Sequence, residues 1–367
     1  MRFAFTADQL AFRDAVRDLL AKGCPPEVVR AAWPEGTDGD GARKGDGARA
    51  DAGRVAALWS DLAEMGVLAI AVSENSGGLG LGAVDWVLIA EETGYAALPH
   101  PFVETACVVA PLLDATSDPH GVLTDLIDGT RQGGVLPLAT TNVAWGDAVT
   151  YLVSIDHRPS AGSPWMARRV LEAPTAGDRP DRTCTLLDAL DPGRHLVELG
   201  AWLGDAGFGE SNDTGLGNAT DAEAAFDRGV LGTAAQLVGL GRRMLDLTVA
   251  YVVERRQFGV PIGSQQAVKH HLADAAMKLH FAAPAVYGAA WSLATGAPTA
   301  GRDVSMAKAM ASDAARFTAR QALQCHGAIG YTVEYDLHLY LKRAEALART
   351  WGDAAWHRRR VATALGI

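Results

Sequence analysis

The sequence predicts a mainly α-helical protein with a small β domain in the middle of the chain. Three observations support this: helical periodicity over the first third, short alternating runs (VLPLATTN, AVTYLVSI and RHLVEL) between about Val135 and Ala206, and a long apolar helical stripe from Phe226 onward. The expected domains are an N-terminal helical domain (1–132), a middle β-barrel-like domain (133–215) and a C-terminal four-helix bundle (216–367). Because the strands do not alternate with helices, a doubly wound sheet and an α/β barrel are excluded.

The N-terminal helices are indicated by a cap and by apolar spacing. Thr6 is a suitable N-cap, Gln9 stands in the capping-box position three residues later, and apolar residues follow at helical spacing. The segment Pro34–Gly53 has almost no large apolar side chains and is predicted to be a flexible surface loop. Helical periodicity returns over Val55–Met65 and again over Val84–Thr93.

The C-terminal third predicts long helices separated by short turns. A first helix covers Phe226–Glu254 and ends before FGVPIGS, a second covers Ala267–Thr295, and a third covers Val304–His326. The turn GAIGYT then precedes a last helical stretch over about Tyr335–Leu365. The arginines Arg358–Arg360 are expected in its last turns, where cations interact favourably with the helix dipole.

Composition and charge exclude several classes of function. Hydrophobic residues make up 49% of the 367 residues and charged residues 21%, as in an ordinary globular protein. The net charge of −10 disfavours a nucleic-acid binder, since a protein that neutralises many phosphates is normally basic. The four cysteines lack metal-ligand spacing, which predicts a reduced cytoplasmic protein without a metal site. No apolar window is long enough for a membrane helix, so no membrane association is expected.

Two segments of the C-terminal third contain most of the chemical information. The first, YVVERRQFGVPIGSQQ over Tyr251–Gln266, places two arginines at the end of a long helix, before a glycine. The second, QCHGAIGY over Gln324–Tyr331, places two glycines around a turn where backbone N–H groups could approach a phosphate. Taken singly, the first segment is equally well explained by helix capping without any ligand, and the second is better explained by it.

Together, these segments resemble the acyl-CoA dehydrogenase family. Glu254–Gly259 matches the family's ERxxFG, and Gln324–Tyr335 matches its Q-x-x-G-G-x-G-[YF]-x-x-E-[YH]. Ala225–Asp246 matches the opening of the family's long C-terminal helix, and Gly77–Gly94 matches its N-terminal domain. The resemblance spans nearly the whole chain, is specific in the C-terminal motifs and is weak in the middle domain. It implies an acyl-CoA dehydrogenase-like fold, in agreement with the predicted order of domains.

The resemblance also implies a flavoprotein that binds FAD and desaturates the α,β bond of an acyl-CoA thioester. In the family, a carboxylate removes the α proton, and electrons pass to an electron-transfer flavoprotein. The ERxxFG and QxxGG segments reach the adenosine-pyrophosphate half of an FAD held by a neighbouring subunit. By matching position, the implied cofactor-binding residues are Arg255, Gln257, Phe258, Gln266, Gln324, Gly327 and Ala328. Ala328 replaces the family's second glycine.

The positions of the family's catalytic glutamate hold no carboxylate in this chain. Counted without gaps from the QCHG turn, the usual position is Trp351, and the alternative position near the start of the long helix is Gly229. Val230 stands in place of the family's substrate-side arginine, whereas Asp227, a weaker candidate for substrate contact, is retained. The family's flavin-lining LTEPxAGSD corresponds only in part to Leu138–Asp147. The catalytic base is therefore unknown.

The residues that surround the substrate in the family are largely replaced in this chain, whereas those that contact the adenosine-pyrophosphate half of FAD are largely retained. This combination predicts a subunit of a heteromeric enzyme. We expect this chain to contribute the adenosine-pyrophosphate site to a catalytic sister chain in an α2β2 assembly, in the β-oxidation of steroid or fatty-acid side chains. The main alternative is a self-sufficient homotetramer with a displaced base, for which Glu223, Asp227 and Asp353 are the nearest carboxylates. Two further alternatives are a flavin oxidase or hydroxylase on the same fold and a structural paralogue without a cofactor.

Overall fold

The computed structural model describes residues 4–34, 46–118, 121–136, 142–157, 165–172, 185–199 and 216–367. Most of these residues are helical. The α-helices are α1 (Ala7–Gly23), α2 (Pro26–Ala31), α3 (Asp46–Glu64), α4 (Ala83–Tyr95), α5 (Ala110–Ala115), α6 (Leu123–Ile127), α7 (Ala219–Glu254), α8 (Gln266–Ala294), α9 (Ala300–His326), α10 (Leu337–Leu347) and α11 (Ala354–Leu365). The strands are β1 (Gly133–Leu136), β2 (Asn142–Val143), β3 (Tyr151–His157), β4 (Trp165–Glu172), β5 (Thr185–Leu186), β6 (Val197–Glu198), β7 (Arg256–Gln257) and β8 (Val260–Pro261).

The chain divides into two compact units, each built from separated stretches of sequence. The first unit comprises Met1–Val55, Ala83–Leu98 and Val230–Ile367, and the second comprises Ala56–Gly82 and Pro99–Gly229. The three domains expected from the sequence, with boundaries after residues 132 and 215, remain a prediction.

The first unit is a helical bundle in which small residues allow close helix packing. The buried face of α9 is rich in alanine, with Ala307, Ala311 and Ala315 spaced one helical turn apart. Where α4 and α7 cross, their backbones nearly touch, because a Cβ atom on Gly239 would lie only 1.9 Å from the Glu91 carbonyl oxygen. Any side chain at Gly239 would push these two helices apart.

A charged network also joins four helices of the first unit. Glu91 and Glu92 of α4 are both buried. Arg17 of α1 donates to Glu92 Oε1 at 2.7 Å, and Tyr287 of α8 donates to Glu91 Oε2 at 2.5 Å. Arg242 of α7 donates to Glu91 as well. Burial, together with Glu91, raises the pKa of Tyr287, so this hydroxyl stays protonated.

The second unit contains the described part of the β domain, as two three-stranded sheets with strand orders β1-β3-β4 and β2-β6-β5. In the first sheet, β1 runs parallel to β3 and β3 runs antiparallel to β4. The second sheet is antiparallel throughout. Residues from both sheets and their connections form one small hydrophobic core, which consists of Leu136, Val143, Trp145, Val149, Leu152, Val197 and Leu199. This arrangement confirms the predicted mainly helical fold with a small β component.

Most predicted elements are confirmed, including the capping box of α1. The Thr6 hydroxyl accepts the N–H of Gln9 at 3.2 Å, and the Gln9 side chain accepts the N–H of Thr6 at 2.9 Å. The strands β4 and β5 lie outside the three runs but within the stretch from about Val135 to Ala206 in which strands were predicted. Within the described ranges, no helix combines the length and apolar character needed to cross a bilayer.

Two element predictions are wrong. The segment predicted as a loop to residue 53 is helical from Asp46, where α3 begins, and residues 35–45 of that prediction lie outside the described residues. The single helix predicted over 335–365 is two helices, because Trp351 and Gly352 adopt positive φ angles of 60° and 96° between α10 and α11. As a result, Arg358–Arg360 lie in the middle of α11 rather than in its last turns.

Candidate functional site

A short hairpin follows α7 and carries the first predicted motif. Its strands β7 and β8 are joined through Phe258 and Gly259, whose φ angles of 52° and 84° suit a tight two-residue turn. The N–H of Arg255 donates to the Tyr251 carbonyl at 2.8 Å, and the Arg255 carbonyl accepts the N–H of Ile262 at 2.8 Å. The hairpin is thereby attached to the last turn of α7.

The side chains on this hairpin point into solvent. Phe258 is 96% exposed, although its left-handed backbone conformation is costly for a bulky residue. Arg255 is also exposed, and it forms no side-chain hydrogen bond or ion pair with the part of the chain that the structure describes. Its guanidinium fork is therefore free to pair with two oxygens of a phosphate or carboxylate.

The second predicted motif forms a turn at the end of α9. Gly327 has φ 65° and ψ −139°, a conformation that is essentially restricted to glycine. A Cβ atom at this position would meet nothing within 4 Å, so the space in front of the backbone is open. Gln324 and Ala328 beside it are exposed. Such a turn allows a ligand to approach main-chain N–H groups closely.

Three aromatic residues bring the two motifs together. The ring of His326, at the end of α9, stacks on Tyr251 of α7 with 4.3 Å between ring centroids, and Tyr335 packs on the same imidazole at 4.7 Å. His326 Nδ1 lies 2.8 Å from the Ala322 carbonyl, so this nitrogen carries the proton. Burial lowers the pKa of His326 and keeps the ring neutral.

The seven predicted cofactor-binding residues therefore gather at one end of the first unit. They are Arg255, Gln257, Phe258, Gln266, Gln324, Gly327 and Ala328, and all seven are exposed. The sequence analysis did not find the Tyr251–His326–Tyr335 cluster that connects them. The sequence contained a signal for this cluster, because Tyr251 opens the first motif and His326 directly precedes Gly327 in the second.

The turn that contains Trp351 is held from two sides. The Trp351 carbonyl lies 2.9 Å from His357 Nε2, and the Gly352 carbonyl accepts from the ammonium of Lys308 at 3.2 Å. A Cβ atom on Gly352 would lie 2.9 Å from the ring of Trp356, so the turn requires glycine there. These contacts make the turn a packed structural element.

Lys308 is fully buried, yet its ammonium group is well satisfied. Its Nζ lies 3.2 Å from the carbonyl oxygens of Leu347 and Ala348, and 3.4 Å from the hydroxyl of Ser312. The charge therefore faces the carbonyl end of α10, where the helix dipole is negative. Neither Lys308 nor His357 was singled out from the sequence.

Each carboxylate considered as a displaced base has a distinct environment. Asp353 is exposed and caps α11, since its Oδ1 accepts the N–H of Trp356 at 2.7 Å, and this hydrogen bond lowers the pKa of Asp353. In the second unit, Asp227 is buried and Glu223 is half-buried, both on α7.

The remaining predicted positions are mostly buried or partly outside the described residues. Gly229 is buried in α7, and Val230 is fully buried in the core. Residues 137–141, which overlap the stretch Leu138–Asp147, lie outside the described residues. Asp147 itself is paired with His195 Nδ1 at 2.5 Å.

Comparison with known proteins identifies the family. The descriptions "Acyl-CoA dehydrogenase, N-terminal domain" and "Acyl-CoA dehydrogenase, C-terminal domain" match residues 6–119 and 218–366. The acyl-CoA dehydrogenase IpdE2 of Mycobacterium tuberculosis is 31% identical over 343 residues, which are 92% of this chain and 91% of IpdE2. The chain belongs to the acyl-CoA dehydrogenase family.

Solved structures share the fold over nearly the full length of the chain. The ChsE4–ChsE5 complex from Mycobacterium tuberculosis matches with a TM-score of 0.78 and 22% identity, covering 100% of this chain and 99% of that chain. The Tcur3481–Tcur3483 steroid ACAD matches with a TM-score of 0.77 and 21% identity, covering 98% of both. At these levels of sequence identity, the structural similarity shows a shared fold.

FAD is the cofactor of this acyl-CoA dehydrogenase fold, and solved structures of the fold include FAD complexes. The residues present in this chain fit one side of that cofactor. Arg255 has a free guanidinium group, Phe258 has an exposed aromatic face, and the backbone at Gly327 faces open space. A diphosphate and a planar base would be bound by such groups.

Proposed function

We propose that this chain is the non-catalytic subunit of a heteromeric, FAD-dependent acyl-CoA dehydrogenase. In this proposal, the seven exposed residues at the end of the first unit contribute the adenosine-pyrophosphate side of an FAD site. A second acyl-CoA dehydrogenase subunit contributes the catalytic glutamate and the acyl-CoA pocket. FAD, when bound, supplies the acceptor for the hydride that leaves the acyl chain. An electron-transfer flavoprotein is the expected acceptor of the electrons.

The observation that supports this role most strongly is the exposure of Phe258. A phenylalanine that is 96% exposed on a left-handed turn gains nothing from its position in the isolated chain. Contact with a ligand or a second subunit would bury the ring. Arg255, three residues earlier, offers the charge that a pyrophosphate needs, while this helix end contains no ionic partner for it among the described residues.

The turn around Trp351 supports the non-catalytic role. Side-chain and backbone contacts from Lys308 and His357 hold the position at which the family places its usual glutamate. The one acid in this turn, Asp353, accepts the backbone N–H of Trp356 as a helix cap. An oxygen that already accepts a hydrogen bond in this way is a weaker base.

The relatives suggest which kind of partner and substrate to test first. The ChsE4–ChsE5 and Tcur3481–Tcur3483 structures each pair two named chains, and the latter is a steroid ACAD. We therefore propose a second, non-identical acyl-CoA dehydrogenase chain as the partner and a steroid or fatty-acid side-chain thioester as the substrate class.

A self-sufficient homotetramer with a displaced base is the second candidate, because Asp353 is exposed and lies two residues from Trp351. Asp353→Asn separates the two proposals, since the amide oxygen can still cap α11 but cannot accept a proton. The heteromeric proposal predicts unchanged turnover of the assembled enzyme. The homotetrameric proposal predicts loss of turnover while FAD stays bound.

The decisive experiment compares the purified chain with the complex formed on co-expression with a candidate partner. We expect the chain alone to contain substoichiometric FAD and no acyl-CoA desaturation, and the complex to contain FAD and to desaturate the thioester. Flavin absorbance per protein and reduction of an electron acceptor measure the two quantities. Full FAD content with desaturase activity in the chain alone would show that the proposal is wrong.

A further inference from the structure

We propose that the groove between α8 and α9 selects a partner chain that presents acidic residues and disfavours a second copy of this chain. The groove has a volume of about 210 Å³ and is lined by Lys278 of α8 and by Asp313, Arg316, Phe317 and Arg320 of α9. Such selection presupposes the heteromeric assembly proposed above, and it specifies the chemistry of the partner's surface.

The two helices place their exposed faces side by side. They are consecutive and are joined by the short connection 295–299, so they pack as an antiparallel pair within the first unit. The ammonium of Lys278 lies 4.8 Å from the centroid of the Phe317 ring, and this contact spans the groove. Arg320 stands one helical turn after Phe317 and is exposed. Both cations are therefore carried by rigid helices.

The positive charge of the groove is not balanced from within the described part of the chain. Arg316 is paired with a glutamate of α10 at 3.0 Å, and Asp313 is paired with an arginine of α11. Lys278 and Arg320 form no ion pair with any residue in the described ranges. Two unpaired cations thus stand together on the surface of a chain whose net charge is −10.

Pairing of two identical chains through this groove would bring like charges together. In a twofold contact the same patch lies on both copies, so Lys278 and Arg320 of one copy would face the same two cations of the other. Asp274, one turn before Lys278, is the one acid of α8, and a single carboxylate against two cations leaves the patch positive. A chain with carboxylates at the matching positions removes this repulsion and gains ion pairs.

Exposed apolar side chains beside the groove supply contact area for such a partner. Met277 and Phe281 of α8 are 51% and 67% exposed, and Met310 of α9 is 38% exposed. Burying them would stabilise a complex, and methionine adapts to an irregular partner surface. The surface that fits is therefore an amphipathic helix or helix pair on which acids stand beside apolar residues.

The groove also adjoins the predicted cofactor-binding residues. Arg320 stands one turn before Gln324 on α9, and both are exposed. A chain that pairs with Arg320 would therefore lie next to the residues proposed to contact FAD. Recognition of the partner and sharing of the FAD site would then use one continuous surface of the first unit.

The test uses the full chain as its own charge-matched partner. A double variant with Lys278→Glu and Arg320→Glu carries acids where the unmodified chain carries cations. We expect an equimolar mixture of the two proteins to associate at least about tenfold more tightly than either protein alone, because only the mixture pairs opposite charges. Sedimentation velocity at low salt measures this, and added salt should weaken the mixed dimer. The matched control is the double variant Arg13→Glu and Lys22→Glu, which makes the same charge change on α1.

Each outcome either supports or overturns selection by charge. Tighter association of the mixture, absent when the α1 control replaces the groove variant, supports the proposal. The proposal is overturned if the mixture associates no more tightly than its components, or if the control mixture associates equally well. Tighter self-association of the unmodified chain would also overturn it, because a second copy would then be the preferred occupant. Since neither FAD nor a catalytic partner is present, failure here is distinguishable from failure of the proposed enzyme function.

Discussion

Arg255, which we propose to bind the cofactor, contributes little to the fold. It is exposed, follows directly after α7, and has no ionic partner in the described ranges of the chain. Its backbone, not its side chain, attaches the hairpin to Tyr251 and Ile262. Truncation of the side chain should therefore leave the fold intact.

The first prediction follows from this separation. Arg255→Ala should lower the affinity of the assembled complex for FAD by about ten- to a hundredfold, because a bidentate, charge-assisted contact is lost. Arg255→Lys should recover only part of the affinity, since a point charge cannot reproduce the fork. The measurement is FAD absorbance per protein after dialysis, with Arg256→Ala as the control from the next exposed position. Equal FAD content in the Arg255→Ala variant and the control would contradict the placement of the cofactor.

The second prediction concerns Trp351. Trp351→Glu restores a carboxylate at the family's usual position, but we expect no acyl-CoA dehydrogenase activity in the isolated chain. Val230 is buried where the family has its substrate-side arginine, and the partner's half of the site is still missing. Turnover of acyl-CoA with an artificial electron acceptor measures the result. Substantial turnover would mean that this chain retains a substrate site of its own.

At the scale of secondary structure, the break between α10 and α11 depends on a buried cation. Lys308 of α9 binds three carbonyl oxygens, those of Leu347, Ala348 and Gly352. No local rule requires a lysine at this point of α9, because its partners are about forty residues further along the chain. The lysine therefore terminates a helix other than its own.

The third prediction tests this helix termination. Lys308→Met should lower the free energy of unfolding by about 2–4 kcal/mol, because it leaves buried carbonyl groups without their donor. Lys269→Met is the matched control, since Lys269 is exposed on α8, and it should change stability by less than about 0.5 kcal/mol. Urea unfolding monitored by circular dichroism measures both. A loss in Lys308→Met no larger than in the control would show that these carbonyls find other partners.

At the scale of the whole molecule, three buried histidines make stability depend on pH. Burial lowers the pKa of His357 to about 3 and that of His338 to about 4, and it also lowers the pKa of His326. For His357, the positive charge of Lys308 adds to the effect. All three are neutral when folded, whereas the unfolded chain takes up protons below about pH 6.5. Stability is therefore complete above that pH and decreases as the pH falls toward the folded values.

The fourth prediction gives this dependence a slope. Between about pH 6 and pH 4, protonation of His357 in the unfolded chain should remove up to about 1.4 kcal/mol of unfolding free energy per pH unit. His357→Gln removes one titrating group, so its urea-unfolding free energy should fall less steeply with pH than that of the unmodified chain. Measurements at three pH values in this window suffice. Parallel slopes for the two proteins would show that His357 is not the buried neutral group described here.

Much of the fold was accessible from local sequence. Apolar spacing identified α8 and α9 to within a few residues, and it identified the end of α7, which begins seven residues before the predicted Phe226. Thr6 with Gln9 identified the start of α1, because capping depends on residues one turn apart. The start of α3 at Asp46 was missed since the helix opens with alanine and arginine rather than large apolar residues. Its first eight residues also include two glycines and two aspartates, which have low intrinsic helix propensity, so neither local signal predicted a helix there.

Some features of the candidate site were likewise accessible from local sequence, and others were not. The hairpin that carries Arg255 and Phe258 and the turn at Gly327 are formed by neighbouring residues, so motif spacing could select these residues as candidates. The stacking of Tyr251 on His326 and the hydrogen bond from Lys308 to the Gly352 carbonyl required the packed bundle. Each joins residues that are tens of positions apart, and such contacts follow from how helices pack rather than from the local pattern of the chain.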